Sequence, residues 1–142
     1  MNKKILSIFL CLFLMTGCNN KVNSIQVKES DVKINVIIND NSYILNLEDN
    51  ETVTEFVKLL PKEFNMKELN DNEKYVYLNS SLPTNSSIPK KINKGDVMLY
   101  GDNCLVVFYK SFNTNYSYTK IGHIDNFPDL DNKNIIIKFK TA

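Results

Sequence analysis

The feature that most constrains this chain is a succession of short β-forming runs, punctuated by turn residues and interrupted by one helical pattern. Val32 to Ile38 and Ser42 to Leu47 flank the turn-type cluster Asn39-Asp40-Asn41 and read as a β-hairpin. In the second run Tyr43, Leu45 and Leu47 share a side, so one face is mostly apolar. Glu63 to Leu69 sets Phe64, Met66 and Glu68 against Asn65, Lys67 and Leu69, and Lys74 to Leu78 is another short strand. Val97 to Tyr100 follows the turn Gly95-Asp96, and Cys104 to Tyr109 follows Gly101-Asp102-Asn103. Thr119 to Ile124 and Ile135 to Phe139 are the last strands. About eight strands with one helix predict a closed or nearly closed β-barrel.

The helix follows Leu47. Asp49 or Asn50 can cap it, and Thr52-x-x-Glu55 fits a capping box. Val53, Phe56, Val57 and Leu60 recur at helical spacing and give one apolar face; Pro61 stops the helix. Asn79 to Lys94, with Pro83 and Pro89, reads as a long polar loop, and such loops often carry function. Ser111 to Ser117 reads as a second polar loop, rich in Asn and aromatic residues.

The first residues follow a different logic. Lys3 and Lys4 precede an apolar run from Ile5 to Met15, too short to span a bilayer and suited to a signal peptide. Thr16 and Gly17 then supply small residues before Cys18, and Met-Thr-Gly-Cys resembles the bacterial lipobox, with Met15 where Leu is usual. The expectation is a signal peptide over residues 1–17, a lipidated Cys18 opening a polar tether over 18–31, and one domain over 32–142. Acylation at Cys18 would hold the protein on a cell membrane or outer membrane, outside the cytoplasm, since two or more chains anchor stably where one does not. Cys11 leaves with the leader and Cys18 is taken by lipid, so Cys104 has no disulfide partner within the chain. It reads as a small buried hydrophobe heading a strand.

Charge gives no reason to expect nucleic acid. Removing Lys3 and Lys4 from the 17 lysines leaves 15, against 16 acidic groups. All the basic residues other than His123 are lysine; without arginine there is no guanidinium fork for phosphate or carboxylate. One His and one available Cys cannot build a zinc site, and the carboxylates lack calcium-loop spacing, so no metal and no cofactor are expected. Asp125, Asp129 and Asp131 read as solvent-facing turn residues around Pro128. The aromatic residues are the better candidates for a site. Tyr75 and Tyr77 share one side of a strand, and Tyr109, Phe112, Tyr116 and Tyr118 gather around one loop. Rings with polar tips suit a groove for a peptide or small molecule, although strands also use tyrosine for packing.

Several blocks then point to a family. They include Leu47-Glu48-Asp49-Asn50-Glu51-Thr52, Asn72-Glu73-Lys74-Tyr75-Val76-Tyr77-Leu78, the run from Gly95 to Phe112, and Tyr116 to Ile124. From about Ile34 to Phe139 the chain resembles the bacterial cyclophilin-like domain family. The resemblance implies a mainly β fold: a small closed β-barrel of cyclophilin-like fold with one short α-helix. Relatives include lipoproteins and modules joined to flavodoxin-like domains, so a flavodoxin-like partner follows by analogy alone. True cyclophilins isomerise X-Pro bonds with an arginine that polarises the prolyl amide, and this chain has none. The reading therefore favours a binding module over an enzyme, with prolyl isomerisation as the alternative. Its groove is expected to use Tyr75, Tyr77, Phe108, Tyr109, Ser111, Tyr116 and Tyr118, and no catalytic residue is assigned.

Overall fold

A computed structural model describes residues 32–142. The leader, Cys18 and the tether expected over 18–31 lie outside the described residues. The elements are β1 (Ile34–Ile38), β2 (Asn41–Leu47), α1 (Glu51–Lys58), β3 (Lys62–Leu69), β4 (Glu73–Tyr77), β5 (Lys91–Ile92), β6 (Asp96–Tyr100), β7 (Cys104–Phe108), β8 (Phe112–Asn113), β9 (Thr119–Ile124) and β10 (Ile135–Thr141). Eight of the strands close an antiparallel barrel in the order β1-β10-β3-β4-β7-β6-β9-β2. The eight anticipated runs are these eight strands. Closure leaves no unpaired edge in the barrel itself.

Local chemistry fixes the corners. Ile38 pairs with Asn41, so the first turn is the two residues Asn39-Asp40, both at positive φ (47° and 64°). Asn and Asp tolerate this region, and two-residue hairpin turns demand it. At Gly95 (φ 95°) an added Cβ would lie 2.4 Å from the Ile124 carbonyl oxygen, so the entry to β6 requires glycine twice over. Asn50, rather than a Thr52 capping box, caps α1: its side chain accepts from the Val53 N–H at 3.0 Å. Thr52 is buried instead, and its hydroxyl donates to the Pro83 carbonyl at 2.6 Å, tying the helix to the long segment after β4.

The barrel interior is filled by alternate residues of its strands, among them Ile34, Val36, Met66, Leu105, Val107, Ile121 and Phe139. Helix α1 closes one end: Phe56 is fully buried and meets Phe139 edge to face at 5.7 Å, and Phe64 meets Phe139 at 5.9 Å. Leu60, expected on the same stripe, is only half-buried. The interior becomes polar further along β3, at Glu68. There Lys74, with no exposed surface, donates to Glu68 Oε2 (2.6 Å), the Asp131 carbonyl (2.6 Å) and the Lys133 carbonyl (2.7 Å). Its ammonium also lies 4.4 Å from the centre of the Tyr109 ring. Three acceptors satisfy its three donors, which makes such a buried charge tolerable.

Strands β6 and β7 are buried on both faces, which explains their unbroken apolar runs. Their other face belongs to a second cluster of Ile92, Met98, Cys104, Val106, Phe108 and Tyr118, with Tyr75 and Phe112 packed against it. What covers that face is the pair of segments read as polar loops. They hold a two-stranded ribbon, β5 with β8, and an isolated bridge between Ser87 and Tyr118. Two-residue strands carry no periodicity, so the sequence pattern does not reveal them.

Candidate functional site

The outer face of β4, β7 and β6 carries a cavity of about 320 Å³, at the small end of the range for ligand pockets. Alternation along β4 sends Lys74 and Val76 inward and presents Glu73, Tyr75 and Tyr77 to the cavity. From β7 come Cys104 and Val106, and from the end of β6 comes Tyr100. Phe112, Tyr116 and Tyr118 stand opposite, and Leu69, Asn70 and Asn72 form the rim by the β3–β4 turn.

The rings form a connected set. Tyr100 lies 6.2 Å from Tyr116 and 5.6 Å from Tyr118; Tyr118 meets Phe108 edge to face at 5.5 Å, and Phe108 lies 5.6 Å from Phe112. Tyr75 and Tyr77 meet edge to face at 5.9 Å on the facing wall. Such offset contacts hold each ring in place and leave ring faces available. Tyr77 (65% exposed) and Tyr116 (66% exposed) are more open to solvent than the other rings of the wall, while Tyr118 is buried.

Within this aromatic enclosure sits one carboxyl group. Burial, and to a lesser degree the charge of Glu68 behind it, push the Glu73 carboxyl up to about 7. Among the described residues Glu73 has no ion-pair partner, and no lysine or histidine lines the cavity. Next to it the buried Asn72 Oδ1 has no hydrogen-bond partner either. Cys104 is a buried free thiol, pushed up to about 11 by burial and by Glu73, which keeps it protonated and unreactive at neutral pH. It has no base. His123 holds Asp96 at 2.9 Å, and Asp96 lies four residues along β6 from Tyr100, the partner of Cys104. That separates the two by about 13 Å of strand.

The expected site residues therefore divide. Tyr75, Tyr77, Tyr116 and Tyr118 line one cavity. Phe108 lies beneath it, fully buried, as part of the support. Tyr109 does not join them: strand alternation turns it into the barrel, where its hydroxyl donates to Glu68 Oε2 at 2.9 Å. Ser111 serves the backbone, accepting from the Lys94 N–H at 2.8 Å. Glu73 and Tyr100 were missed, although each is legible: Glu73 shares parity with Tyr75 and Tyr77, and Tyr100 with the outward Met98. Among the described residues no group of acidic, His and Cys side chains is arranged to hold a metal ion.

The fold has a counterpart among solved structures. The solution structure of the hypothetical protein AF2241 from Archaeoglobus fulgidus superposes with a TM-score of 0.51 at 16% identity, covering 80% of this chain and 96% of that one. No curated protein matches the sequence. The model of the cyclophilin-like family matches residues 36–141, from the middle of β1 to the end of β10. Spanning as it does nearly all of the barrel, the helix and the outer cavity, this match shows that the chain belongs to the cyclophilin-like family.

Proposed function

We propose that the protein is a lipid-anchored binding module whose aromatic cavity takes an extended peptide or a small organic ligand, and that it catalyses no reaction. The observation that carries the binding reading is the convergence of Tyr75, Tyr77, Tyr100, Tyr116 and Tyr118 on one concave surface outside the barrel. Rings so placed offer large apolar faces at little entropic cost, with hydroxyls at the rim for orientation. The anchor rests on the leader and on Met15-Thr16-Gly17-Cys18, which resembles the bacterial lipobox with Met15 where Leu is usual.

Prolyl isomerisation is the other reading. Rotation about a peptide bond faces a barrier of about 18–20 kcal/mol, and lowering it calls for a fixed donor on the amide in a dry pocket. Arginine is absent, and the three lysines nearest the aromatic residues in sequence are engaged elsewhere. Lys74 is consumed inside the barrel, Lys110 pairs with Asp71 at 2.7 Å, and Lys120 lies 3.5 Å from Glu48; none of the three lines the cavity. Removing one well-placed donor typically costs about 10²–10³ in rate.

An exchange-based assay on a short Ala-Pro peptide, with a true cyclophilin as control, should therefore detect no cyclophilin-level acceleration by the full chain. Robust turnover that disappears in Lys110→Ala or Lys120→Ala would promote the isomerase reading. For the anchor, Cys18→Ser should leave an unprocessed, unlipidated precursor. A processed Cys18→Ser protein still extracted from membranes by detergent would defeat the lipoprotein assignment.

A further inference from the structure

We infer that the cavity recognises an alkylammonium group, with Glu73 as its counter-charge and the tyrosine rings as its walls. The inference rests on the binding-module reading and narrows its ligand by chemical class. Two independent features converge on it. The first is the wall itself: Tyr75, Tyr77, Tyr100, Tyr116 and Tyr118 turn ring surface toward one space, and the electron-rich face of a ring attracts a cation. The second is that the one carboxyl group of the wall, Glu73, is half-buried with no cation beside it among the described residues. A carboxylate withdrawn from water without a counter-charge is uncommon in folded proteins and calls for an explanation.

The contrast with the next residue makes the point. Lys74 emerges on the other face of β4 and has every donor satisfied, so this strand does not leave charges unpaired by default. A primary ammonium entering the cavity brings the N–H donors and the positive charge that Glu73 lacks, and its alkyl chain lies against the rings. An anionic ligand would meet a carboxylate and no cation. A neutral ligand would leave the carboxylate uncompensated.

Titration adds a signature. The titratable groups facing Glu73 are Glu68 from β3, Cys104 from β7, Tyr118 from the opposite wall, and Tyr75, Tyr77, Tyr100 and Tyr116 around it. Glu68 is already spoken for by Lys74 and Tyr109. Near neutral pH Glu73 is thus the group that changes charge, at about 7. An alkylammonium stays protonated well above that value. Affinity should therefore rise roughly ten-fold from pH 6 to pH 8 as Glu73 ionises.

The ammonium has two possible sources, a free amine or a lysine side chain of a peptide, and the probes separate them. Binding of n-butylammonium and of N-acetyl-lysine amide to the full chain is compared with that of their neutral counterparts, butan-1-ol and N-acetyl-norleucine amide. Tyrosine ring NMR signals report occupancy. At least one cationic probe should bind ten-fold or more tighter than its neutral partner at pH 8. Glu73→Gln should abolish that preference, and Tyr116→Ala, at an exposed position, should weaken cation binding about ten-fold in a folded protein. A preference for the lysine derivative over butylammonium would assign the site to peptides, and the reverse to free amines. Equal binding of cation and neutral partner, or a preference that survives Glu73→Gln, overturns the ammonium assignment and leaves the groove standing. If no probe of either kind perturbs the ring signals, both the assignment and the groove are wrong.

Discussion

Glu73 and Lys74 are neighbours on one strand, and their surroundings could hardly differ more. Lys74 enters the barrel, where Glu68, two carbonyl oxygens and the Tyr109 ring surround it completely. Glu73 faces outward into the tyrosine-lined cavity, half-buried, with no cation of its own. The inner environment is finished and the outer one is open-ended. Interiors that serve stability satisfy their polar groups, because an unpaired buried charge is costly. Places that hold something else keep a group unsatisfied until the partner arrives. The two faces of β4 thus differ in kind: the inner one holds the barrel with every charge matched, and the outer one presents a carboxyl group without a counter-charge among the described residues.

The sharpest way to break the contrast is to damage the inner face. Lys74→Met removes three donors, takes the counter-charge from Glu68 and strands two carbonyls, and should cost about 3–5 kcal/mol in urea unfolding, as for other broken buried pairs. Adding Glu68→Gln should recover part of that loss. A cost under 1 kcal/mol would mean that water or another group satisfies these atoms without lysine. Phe56→Ala at the helix-capped end should cost a comparable ~3–5 kcal/mol, because the fully buried ring leaves a cavity against Phe139. Leu60→Ala, at a half-buried position two residues past the end of the helix, should cost roughly 1–2 kcal/mol. Equal losses for the two would show that the segment after the helix packs more tightly than its exposure indicates.

The outer face predicts the opposite sign. Burial raises the Glu73 carboxyl from 4.5 to about 7, so the folded state holds a proton that the unfolded chain has released. Below pH 4.5 both states are protonated and nothing is lost; stability then falls as pH rises to about 7 and stays reduced above it. Glu73→Gln should remove this decline and stabilise the protein by about 1–2 kcal/mol at pH 8, allowing for partial solvent screening, with little change at pH 4. Denaturant titrations at the two pH values measure it. A variant less stable than the parent at pH 8 would mean that the carboxylate has a favourable partner in the fold.

The sequence made the barrel plain and the site only half so. Strand alternation and turn residues carry the eight barrel strands, and the spacing of Val53 and Phe56 carries the helix, because these are local signals. Lys74 shows the limit of such reasoning. Its burial depends on carbonyls from Asp131 and Lys133, more than fifty residues away, and no local pattern announces them. Tyr109 shows a different failure: proximity in sequence grouped it with Phe108, whereas the two-residue period of a strand puts the two on opposite faces. Glu73 lies one residue before Lys74, where the sequence pattern starts this strand, so the alternation does not reach it. The ribbon of β5 with β8 is too short to register as any period, and it is the ribbon and its flanking segments that turn an outer sheet face into a cavity.

The two-sided burial of β6 and β7 has a consequence for how this protein can change over time. Along β7, Leu105 and Val107 hold the barrel, while Cys104, Val106 and Phe108 hold the outer cluster. The two sets interleave in the chain but scarcely meet in space. Substitutions at one set can accumulate with little penalty at the other, so a lineage can rewrite its outer surface while inheriting the barrel unchanged. An engineer has the same freedom: a library confined to the outward positions of β4, β6 and β7 varies the cavity wall and leaves the inner packing alone.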